Sequence, residues 1–249
     1  MSDPAALLLD LLARARAAGA DAADAVLYSG ESLSVARRLG KTEQVERSEG
    51  RDLGLRVFIG KRSAIVSSSA VDPAGFPQLA ERAVAMAKVV PEDPYSGLAD
   101  TWTAPEIVAL DLEDSAEPDA EALIARAATA EDAARAVSGI TNSEGAEASY
   151  GRSIGVLVTS AGFIGQSVRT SHSISASALA GTGTGMQRDY DYSGTVHLAD
   201  LDDAVAIGRS AGERAVRRLN PARPKTGIYP VIYDPVSYTH LTLPTIYSV

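Results

Sequence analysis

Three histidines come first in any search for chemistry, because histidine is the usual general base and metal ligand of proteins. They are His172, His197 and His240. No two of them have His-x-x-x-His or His-Glu-x-x-His spacing, so the sequence predicts no helix-borne zinc site. The chain contains no cysteine, which excludes thiolate zinc ligands, disulfides and a cysteine nucleophile. His172 stands in a polar stretch, and we predict a surface histidine on a strand.

Residues Gly151 to Gly155 match the G-x-S-x-G motif of the serine hydrolase nucleophile elbow. Asp189 and His197 follow it in the chain order that α/β-hydrolases use. The elbow requires a strand, a sharp turn and then a helix, whereas the residues from Ile154 onward alternate like a strand. We therefore favour a turn or bulge at these glycines over a catalytic serine.

Two further segments could bind ions. Gly-Thr-Gly-Thr-Gly at 181–185 has the composition of a phosphate loop, but it lacks the Lys-Ser/Thr pair and leads into a strand, which favours a simple turn. Six carboxylates lie between residues 111 and 121, just before a predicted helix, where negative charge complements the helix dipole. We interpret them as a solvated face. The residues alone therefore give no complete active site.

Composition sets the class of protein. The chain has 249 residues, 45% of them hydrophobic and 22% charged, with a formal net charge of -9. These proportions predict an ordinary globular protein of one or two domains. The acidic balance argues against direct binding of nucleic acid or an anionic membrane surface. The sequence shows no export signal and no apolar run of about 18 residues, so we expect a cytoplasmic protein without a membrane span.

The hydrophobic pattern alternates between two periods. Helical periodicity occurs in four stretches, which begin near Pro4, Pro73, Pro118 and Leu201. Between them, apolar residues recur with a period of two, as in half-buried strands. The order is helix, strands, helix, and then the same again. This order predicts an α+β fold with mainly antiparallel sheets flanked by helices.

We predict five segments along the chain. They are a first helix–strands–helix unit (1–92), a connector (93–117), a second helix–strands–helix unit (118–220), the start of a truncated C-terminal domain (221–235) and a tail (236–249). The tail contains no Asp, Glu, Lys or Arg, and its amino-acid sequence resembles an in-frame translation of a sequencing adapter. We expect that it is not native and that the natural chain is interrupted after about Pro235. The alternative is a genuine C-terminal strand with Pro244 at a sheet edge.

Several of these segments resemble the TldD/PmbA family. The matching stretches are Gly40–Glu49, Gly54–Phe58, Gly60–Ala64, Ser171–Ser175, Met186–Tyr192, Arg214–Leu219 and Pro224–Val231. The resemblance covers residues 1–235 and is greater to the PmbA-type subunit, also called TldE. It implies an α+β fold like that of the N-terminal domain of PmbA and TldD.

The resemblance also implies a function. Members of the family form a cytoplasmic zinc metallopeptidase from two related subunits, and the TldD subunit holds zinc with a His-Glu-x-x-x-His motif. The chain is therefore expected to be the N-terminal half of a PmbA/TldE-like subunit that forms a heterodimer with a TldD-like catalytic subunit. The family processes or degrades unfolded or extended peptides, in peptide antibiotic maturation and antitoxin degradation. Zinc is expected in the partner and none in this chain, which we expect to be inactive alone.

The peptide-binding site is predicted on one of the strands. An exposed sheet edge in residues 167–175 could pair with an extended peptide through main-chain hydrogen bonds. The predicted peptide-binding residues are Ser171, His172, Ser173, Ile174 and Ser175. No catalytic or metal-binding residue can be named, because no position of this chain matches the zinc motif.

Two other functions stay open. The chain could be a TldD-type catalytic subunit that stops before its zinc motif. It could also be a non-enzymatic DNA gyrase modulator or adaptor, whose acidic balance would imitate DNA.

Overall fold

The structure is a computed structural model that describes residues 3–98 and 110–233. The chain divides into two compact units, Met1–Leu219 and Asn220–Val249. The first unit contains α1 (Pro4–Ala17), β1 (Ala22–Arg38), β2 (Lys41–Ile59), β3 (Arg62–Ser68), α2 (Phe76–Val89), α3 (Ala120–Arg135), β4 (Ile140–Thr159), β5 (Ile164–Ala180), β6 (Gln187–Thr195) and α4 (Ala204–Arg217).

The second unit has little regular structure in its described part. Residues 220–233 form no helix or strand, and a local hydrogen bond runs from the Tyr229 hydroxyl to the Lys225 carbonyl oxygen over 2.9 Å. The predicted adapter tail, 236–249, lies outside the described residues, as do the middle of the predicted connector and the last two residues of the predicted 221–235 segment.

One six-stranded antiparallel sheet forms the centre of the first unit, in the order β3-β2-β1-β4-β5-β6. Each half of the chain supplies three consecutive strands, and the halves join where β1 pairs with β4, from Asp24 opposite Thr159 to Arg37 opposite Ala146. The two helix–strands–helix units predicted from the sequence therefore share one sheet. The predicted α+β fold with antiparallel strands is confirmed.

All four helices cover the same face of the sheet. Ala23, Ala25 and Val35 on β1 are separated by even numbers of residues and are all buried, so they point to one face. Ala25 packs in the cluster under α1 and α2, whereas Val35 packs in the cluster under α3 and α4. The opposite face carries no helix in the described ranges, and we call it the open face.

The four predicted helices are confirmed as α1 to α4. Their apolar stripes face the sheet. In α1 the buried residues are Leu8, Leu11, Leu12 and Ala15, as the periodicity predicts, and the Asp3 carboxylate accepts the Ala5 amide proton at the N-terminus. No helix in the described part of the chain is long and apolar enough to cross a membrane.

The second helix pair packs closely through glycine. A Cβ atom on Gly208 of α4 would lie 2.0 Å from the Ala130 carbonyl oxygen of α3. Only glycine therefore allows the observed separation of α3 and α4, with α3 packed on β1, β4 and β5 and α4 packed on β5 and β6.

The strands are longer than the sequence predicts. β1 was not predicted as a strand, and β4 begins at Ile140 rather than near Ile154. The turn or bulge predicted at Gly151–Gly155 is wrong, because β4 runs through this segment and stays in regular register with β1 and β5 there. The two glycines, Gly151 and Gly155, are interior strand residues on the open face. The turn predicted at 181–185 is confirmed, since residues 183–185 form a short 3-10 turn between β5 and β6.

Candidate functional site

The five predicted site residues all lie on β5, and the alternation of the strand divides them between the two faces of the sheet. Ser171, Ser173 and Ser175 lie on the open face, where the first is exposed and the other two are partly exposed. His172 and Ile174 lie on the helix-covered face and are buried. The structure therefore brings together the three serines and separates them from the other two residues.

Around these serines, the open face consists mainly of small polar residues and glycines. Ser149 stands opposite Ser173 in the β4–β5 ladder, and their hydroxyl oxygens are 2.7 Å apart. Gly151 stands opposite Ser171 in the same ladder. An open depression of about 350 Å³ adjoins this area, with a lining that includes Gly30, Ser32, Ser48, Gly50, Gly151, Ser153 and Ser171. Glu31, Asp52 and Arg152 also line the depression, and the small residues of its floor leave room for a chain to lie against the sheet.

Tyrosines stand at the sides of this floor. Tyr28 on β1 is 50% exposed, and it lines the same depression. Tyr190 and Tyr192 on β6 are 51% and 67% exposed, and their rings stack with centroids 6.3 Å apart. Exposed aromatic rings with hydroxyl groups offer apolar contact and hydrogen bonding together, which is typical of binding surfaces.

The free backbone edge of β5 is shorter than the sequence predicts. β6 pairs with His172–Ala180, so this stretch lies inside the sheet and its backbone is bonded on both sides. Only the first part of β5, residues 164–171, extends beyond β6, and there the Thr170 amide already donates to the Leu112 carbonyl oxygen over 2.9 Å. Within residues 3–98 and 110–233, the predicted exposed edge over residues 167–175 is therefore corrected to 164–169, and Ser171, Ser173 and Ser175 can offer their side chains but no free backbone.

His172 is buried, not a surface residue as predicted, because it shares a face with Thr170 and Ile174. It is 1% exposed, and its ring centroid lies 5.2 Å from that of Tyr150 on the neighbouring strand. Nε2 is 3.3 Å from an Asp114 carboxylate oxygen, although neither ring nitrogen has an aligned hydrogen-bond partner in the described residues. Burial lowers the pKa of the His172 imidazole, and the Asp114 carboxylate opposes this only in part. A neutral, enclosed imidazole suits a structural role rather than proton transfer to a substrate.

Asp114 anchors the connector to the sheet. Its carboxylate accepts the Leu198 amide proton over 2.7 Å and the Ala116 amide proton over 3.0 Å, and these bonds lower the pKa of the carboxyl group. The Asp114 amide donates to the Thr170 hydroxyl, which itself donates to the Val196 carbonyl oxygen. The predicted solvated acidic face is therefore wrong at Asp114. Sequence reasoning missed this anchor because its partners lie 56 and 84 residues away.

The residues of the hydrolase pattern are not assembled into a triad. The Ser153 hydroxyl donates to the Arg169 carbonyl oxygen over 3.4 Å. Asp189 accepts from Arg218, and His197 contacts the Asp111 carbonyl oxygen at 3.0 Å. The side chains of Ser153, Asp189 and His197 therefore each contact a different partner.

Zinc has no suitable donor set in this part of the protein. Across residues 3–98 and 110–233, no group of three or more histidine and carboxylate side chains could hold a metal ion. The residues described therefore do not fit the zinc of a metallopeptidase.

Two domain descriptions from one known family together match most of the chain. The description "PmbA/TldA metallopeptidase domain 1" matches residues 23–87, and "PmbA/TldA metallopeptidase central domain" matches residues 113–219. The first match spans most of the strands β1 to β3 and α2, and the second spans α3 through α4.

Two curated relatives are each 31% identical to this chain over the aligned residues. Metalloprotease PmbA of Escherichia coli O157:H7 is 31% identical over 218 residues, which are 86% of this chain and 48% of that protein. The Metalloprotease PmbA homolog of Haemophilus influenzae is 31% identical over 221 residues, 87% of this chain and 48% of that protein. The chain therefore spans about half the length of the curated relatives it matches.

Solved structures share the fold. A Bacteroides thetaiotaomicron protein, named as a proposed modulator of DNA gyrase, superposes with a TM-score of 0.87 at 23% identity over 99% of this chain and 57% of that one. TldE from Thermococcus kodakarensis superposes with a TM-score of 0.67 at 14% identity over 84% of this chain and 47% of that one. At these identities the likeness supports the fold alone.

Proposed function

Because the chain belongs to the PmbA/TldD family, we propose that it is the N-terminal region of a PmbA/TldE-type subunit of a two-subunit zinc metallopeptidase. The curated relatives named PmbA support the subunit type. In this proposal the chain carries no zinc and does not hydrolyse peptides alone, and zinc belongs to the TldD-like partner. The complex acts in the cytoplasm on unfolded or extended peptides.

The open face carries the proposed contribution of this chain, which is to hold an extended peptide. Its supporting observation is the floor of serine and glycine around Ser173, with exposed tyrosines at its sides. Hydroxyl groups on such a floor both donate and accept hydrogen bonds. They can therefore contact peptide groups of any sequence, while the tyrosines cover apolar side chains.

Filling the floor tests this role. Ser173→Tyr places a large ring beside Ser149, and we expect it to weaken binding of an unfolded, fluorescently labelled peptide by about tenfold, since it removes contact area and a hydroxyl pair. Ser69→Tyr, at an exposed position after β3, is the matched control and should bind as the parent chain does. Equal binding by both variants would remove the open face from the proposal.

A proline at Ile174 would be a poorer test. Ile174 pairs with Ala148 on one side and Ser193 on the other, so Ile174→Pro would disrupt the sheet itself. Loss of binding in that variant would not distinguish a peptide site from a damaged fold.

Two rival functions make different predictions. If the natural reading frame continues past Pro235 into a His-Glu-x-x-x-His helix, the protein is the catalytic subunit, so resequencing the source locus separates the two subunit types. The gyrase role in the name of the Bacteroides protein favours an adaptor instead. Capture of this chain by purified gyrase, but not by a TldD-like subunit, would support that alternative.

A further inference from the structure

The outer edge of β2 has no backbone partner along residues 41–52. On one side this stretch pairs with β1, whereas on the other side β3 pairs only with residues 53–59. No other hydrogen bond reaches the backbone of residues 41–52 from the part of the chain that the structure describes. Every residue of the stretch is also exposed. The outward-facing amides and carbonyl groups of this edge can therefore pair with an added strand.

The opposite edge of the same sheet is closed. On β6 the amides of Tyr190 and Tyr192 donate to the carboxylates of Asp189 and Asp191, over 2.8 and 3.0 Å. The Tyr190 carbonyl oxygen accepts from Arg214 of α4 over 3.1 Å. Side chains thus occupy backbone groups that a further strand would need, which is one way in which proteins prevent edge pairing. The β2 edge is not blocked in this way, and it is the longest unpaired strand edge in the described residues.

Two charges on the β2 edge lack a full complement. Residues 44–52 stay in regular register with β1, so Glu49 and Arg51 point to the same face, and Glu49 stands directly opposite Glu31. These two carboxylates share one cation, because Arg47 lies 3.6 Å from Glu31 and 3.3 Å from Glu49. Arg51 makes no ion pair or hydrogen bond with any described residue. An added strand therefore gains most from a basic residue opposite Glu49 and an acidic residue opposite Arg51.

The space beside the edge suits a strand with free ends. It is closed at one end, where Ser68 of β3 already stands opposite Leu53. A second copy of this chain does not fit there. Antiparallel pairing of residues 44–52 with themselves would bring the copy's Glu43 opposite Leu53, in the position that Ser68 holds. An isolated extended segment has no such continuation and meets no obstacle.

We propose that the β2 edge binds an extended peptide segment as an added antiparallel strand, with a basic residue opposite Glu49 and an acidic residue opposite Arg51. Main-chain hydrogen bonds supply the affinity, and the two charges select the peptide. Gly50, between them, points to the open face, and a Cβ atom there meets nothing within 4 Å, so a large side chain has room opposite it. The peptide class is a strand-forming segment that carries an acidic residue, any residue and then a basic residue.

This inference rests on the proposed function, since it specifies how the chain holds its peptide. It adds a backbone contact to the side-chain contacts of the floor. Ser48 and Gly50 belong to both surfaces, because they line the floor depression and lie on the β2 edge. The edge and the centre of the floor can still be tested separately.

The probe is the labelled heptapeptide Thr-Asp-Tyr-Lys-Thr-Val-Thr, capped at both ends. Paired antiparallel, it places Asp opposite Arg51, Tyr opposite Gly50 and Lys opposite Glu49. The control heptapeptide exchanges Asp and Lys, so its composition and net charge are the same. We expect the full chain to bind the probe with a dissociation constant of about 0.1–1 mM by fluorescence anisotropy, and the control at least about fivefold more weakly. Equal binding of the two peptides overturns the proposal.

A charge exchange in the protein locates the site. The double variant Glu49→Lys, Arg51→Glu should reverse the preference, so that the control binds at least about fivefold more tightly than the probe. Both positions are exposed, so the variant should fold as the parent chain does. Arg209→Glu, at an exposed position on α4, is the matched control and should keep the preference for the probe. An unreversed preference in the double variant overturns the proposal.

Amide hydrogen exchange followed by NMR reports the strand pairing directly. At a concentration about ten times its dissociation constant, the probe should slow exchange about tenfold at every second amide of residues 44–52, which are those that face away from β1. Unchanged exchange at these amides overturns the proposal. Slower exchange that depends on the concentration of the chain alone would assign the edge to a second copy, and it would overturn the proposal as well.

The edge and the proposed function fail in different ways. If the parent chain binds the longer unfolded peptide but not the heptapeptide, and Ser173→Tyr weakens binding of the longer peptide, the edge proposal is overturned and the floor stands. If the parent chain binds neither peptide, the proposed peptide-holding role is overturned together with the edge.

Discussion

Glu131 on α3 is predicted to hold the β1–β2 hairpin against the second helix pair. Its side chain is fully buried, and its carboxylate accepts the Leu39 amide proton over 2.5 Å and the Gly40 amide proton over 3.0 Å. Arg37 lies 3.7 Å away on β1. Leu39 and Gly40 form the turn between the two long strands, and both have positive φ, 50° and 79°. The carboxylate therefore stabilises a turn that is otherwise strained at Leu39.

The magnitude follows from the contacts. A hydrogen bond to a charged group contributes about 1.5–3 kcal/mol. Glu131→Ala removes two such bonds and leaves buried donors and the Arg37 guanidinium unpaired, so we expect a loss of about 3–5 kcal/mol in the free energy of unfolding. Glu131→Gln keeps one acceptor oxygen but turns an NH₂ group toward the other amide, and its expected loss is about 2–3 kcal/mol. In a chain of this size these losses lower Tm by roughly 2–4 °C for each kcal/mol.

Urea unfolding followed by far-ultraviolet circular dichroism measures both variants. Asp132→Ala, at the exposed neighbouring position of the same helix, is the control and should change the free energy of unfolding by less than about 0.5 kcal/mol. A loss below about 1 kcal/mol in Glu131→Ala would refute the reasoning, because a buried carboxylate bonded to two amides cannot be removed so easily.

Two further predictions concern the core. The lowered pKa of His172 means that the unfolded chain binds its proton first as pH falls through 6.5, so its contribution to stability is present above that pH and is lost on acidification. Stability should therefore fall less from pH 7.5 to 5 in His172→Phe than in the parent chain, and equal slopes in thermal unfolding would contradict this. Gly208→Ala places a Cβ against the Ala130 carbonyl oxygen and should cost about 2–3 kcal/mol by urea unfolding. Gly97→Ala, which meets no atom within 4 Å, should cost far less, and similar losses in the two variants would show that α3 and α4 can separate freely.

The helices and the fold class are predictable from the sequence because a covered face leaves a periodic apolar stripe. The strands are harder, because one face of the sheet is open and carries serine and glycine. These residues have low strand propensity, so β1 and the first half of β4 show only a weak alternation in the sequence. Alanine on the covered face, as at Ala148 and Ala176, weakens the pattern further, because close helices leave little room for larger side chains.

The candidate sites depend on contacts that the sequence does not show. Ser171, Ser173 and Ser175 could be selected from the family resemblance, but their separation from His172 and Ile174 follows from strand register.

The central proposal is that this chain is part of a non-catalytic PmbA-type subunit that works with a TldD-like zinc subunit. Sedimentation velocity of the chain mixed with a purified, zinc-loaded TldD-like subunit tests it most directly. The account predicts a faster-sedimenting complex that contains both chains, with zinc only in the partner. The opposite result, in which the chain sediments alone at every partner concentration or binds zinc stoichiometrically itself, would contradict it.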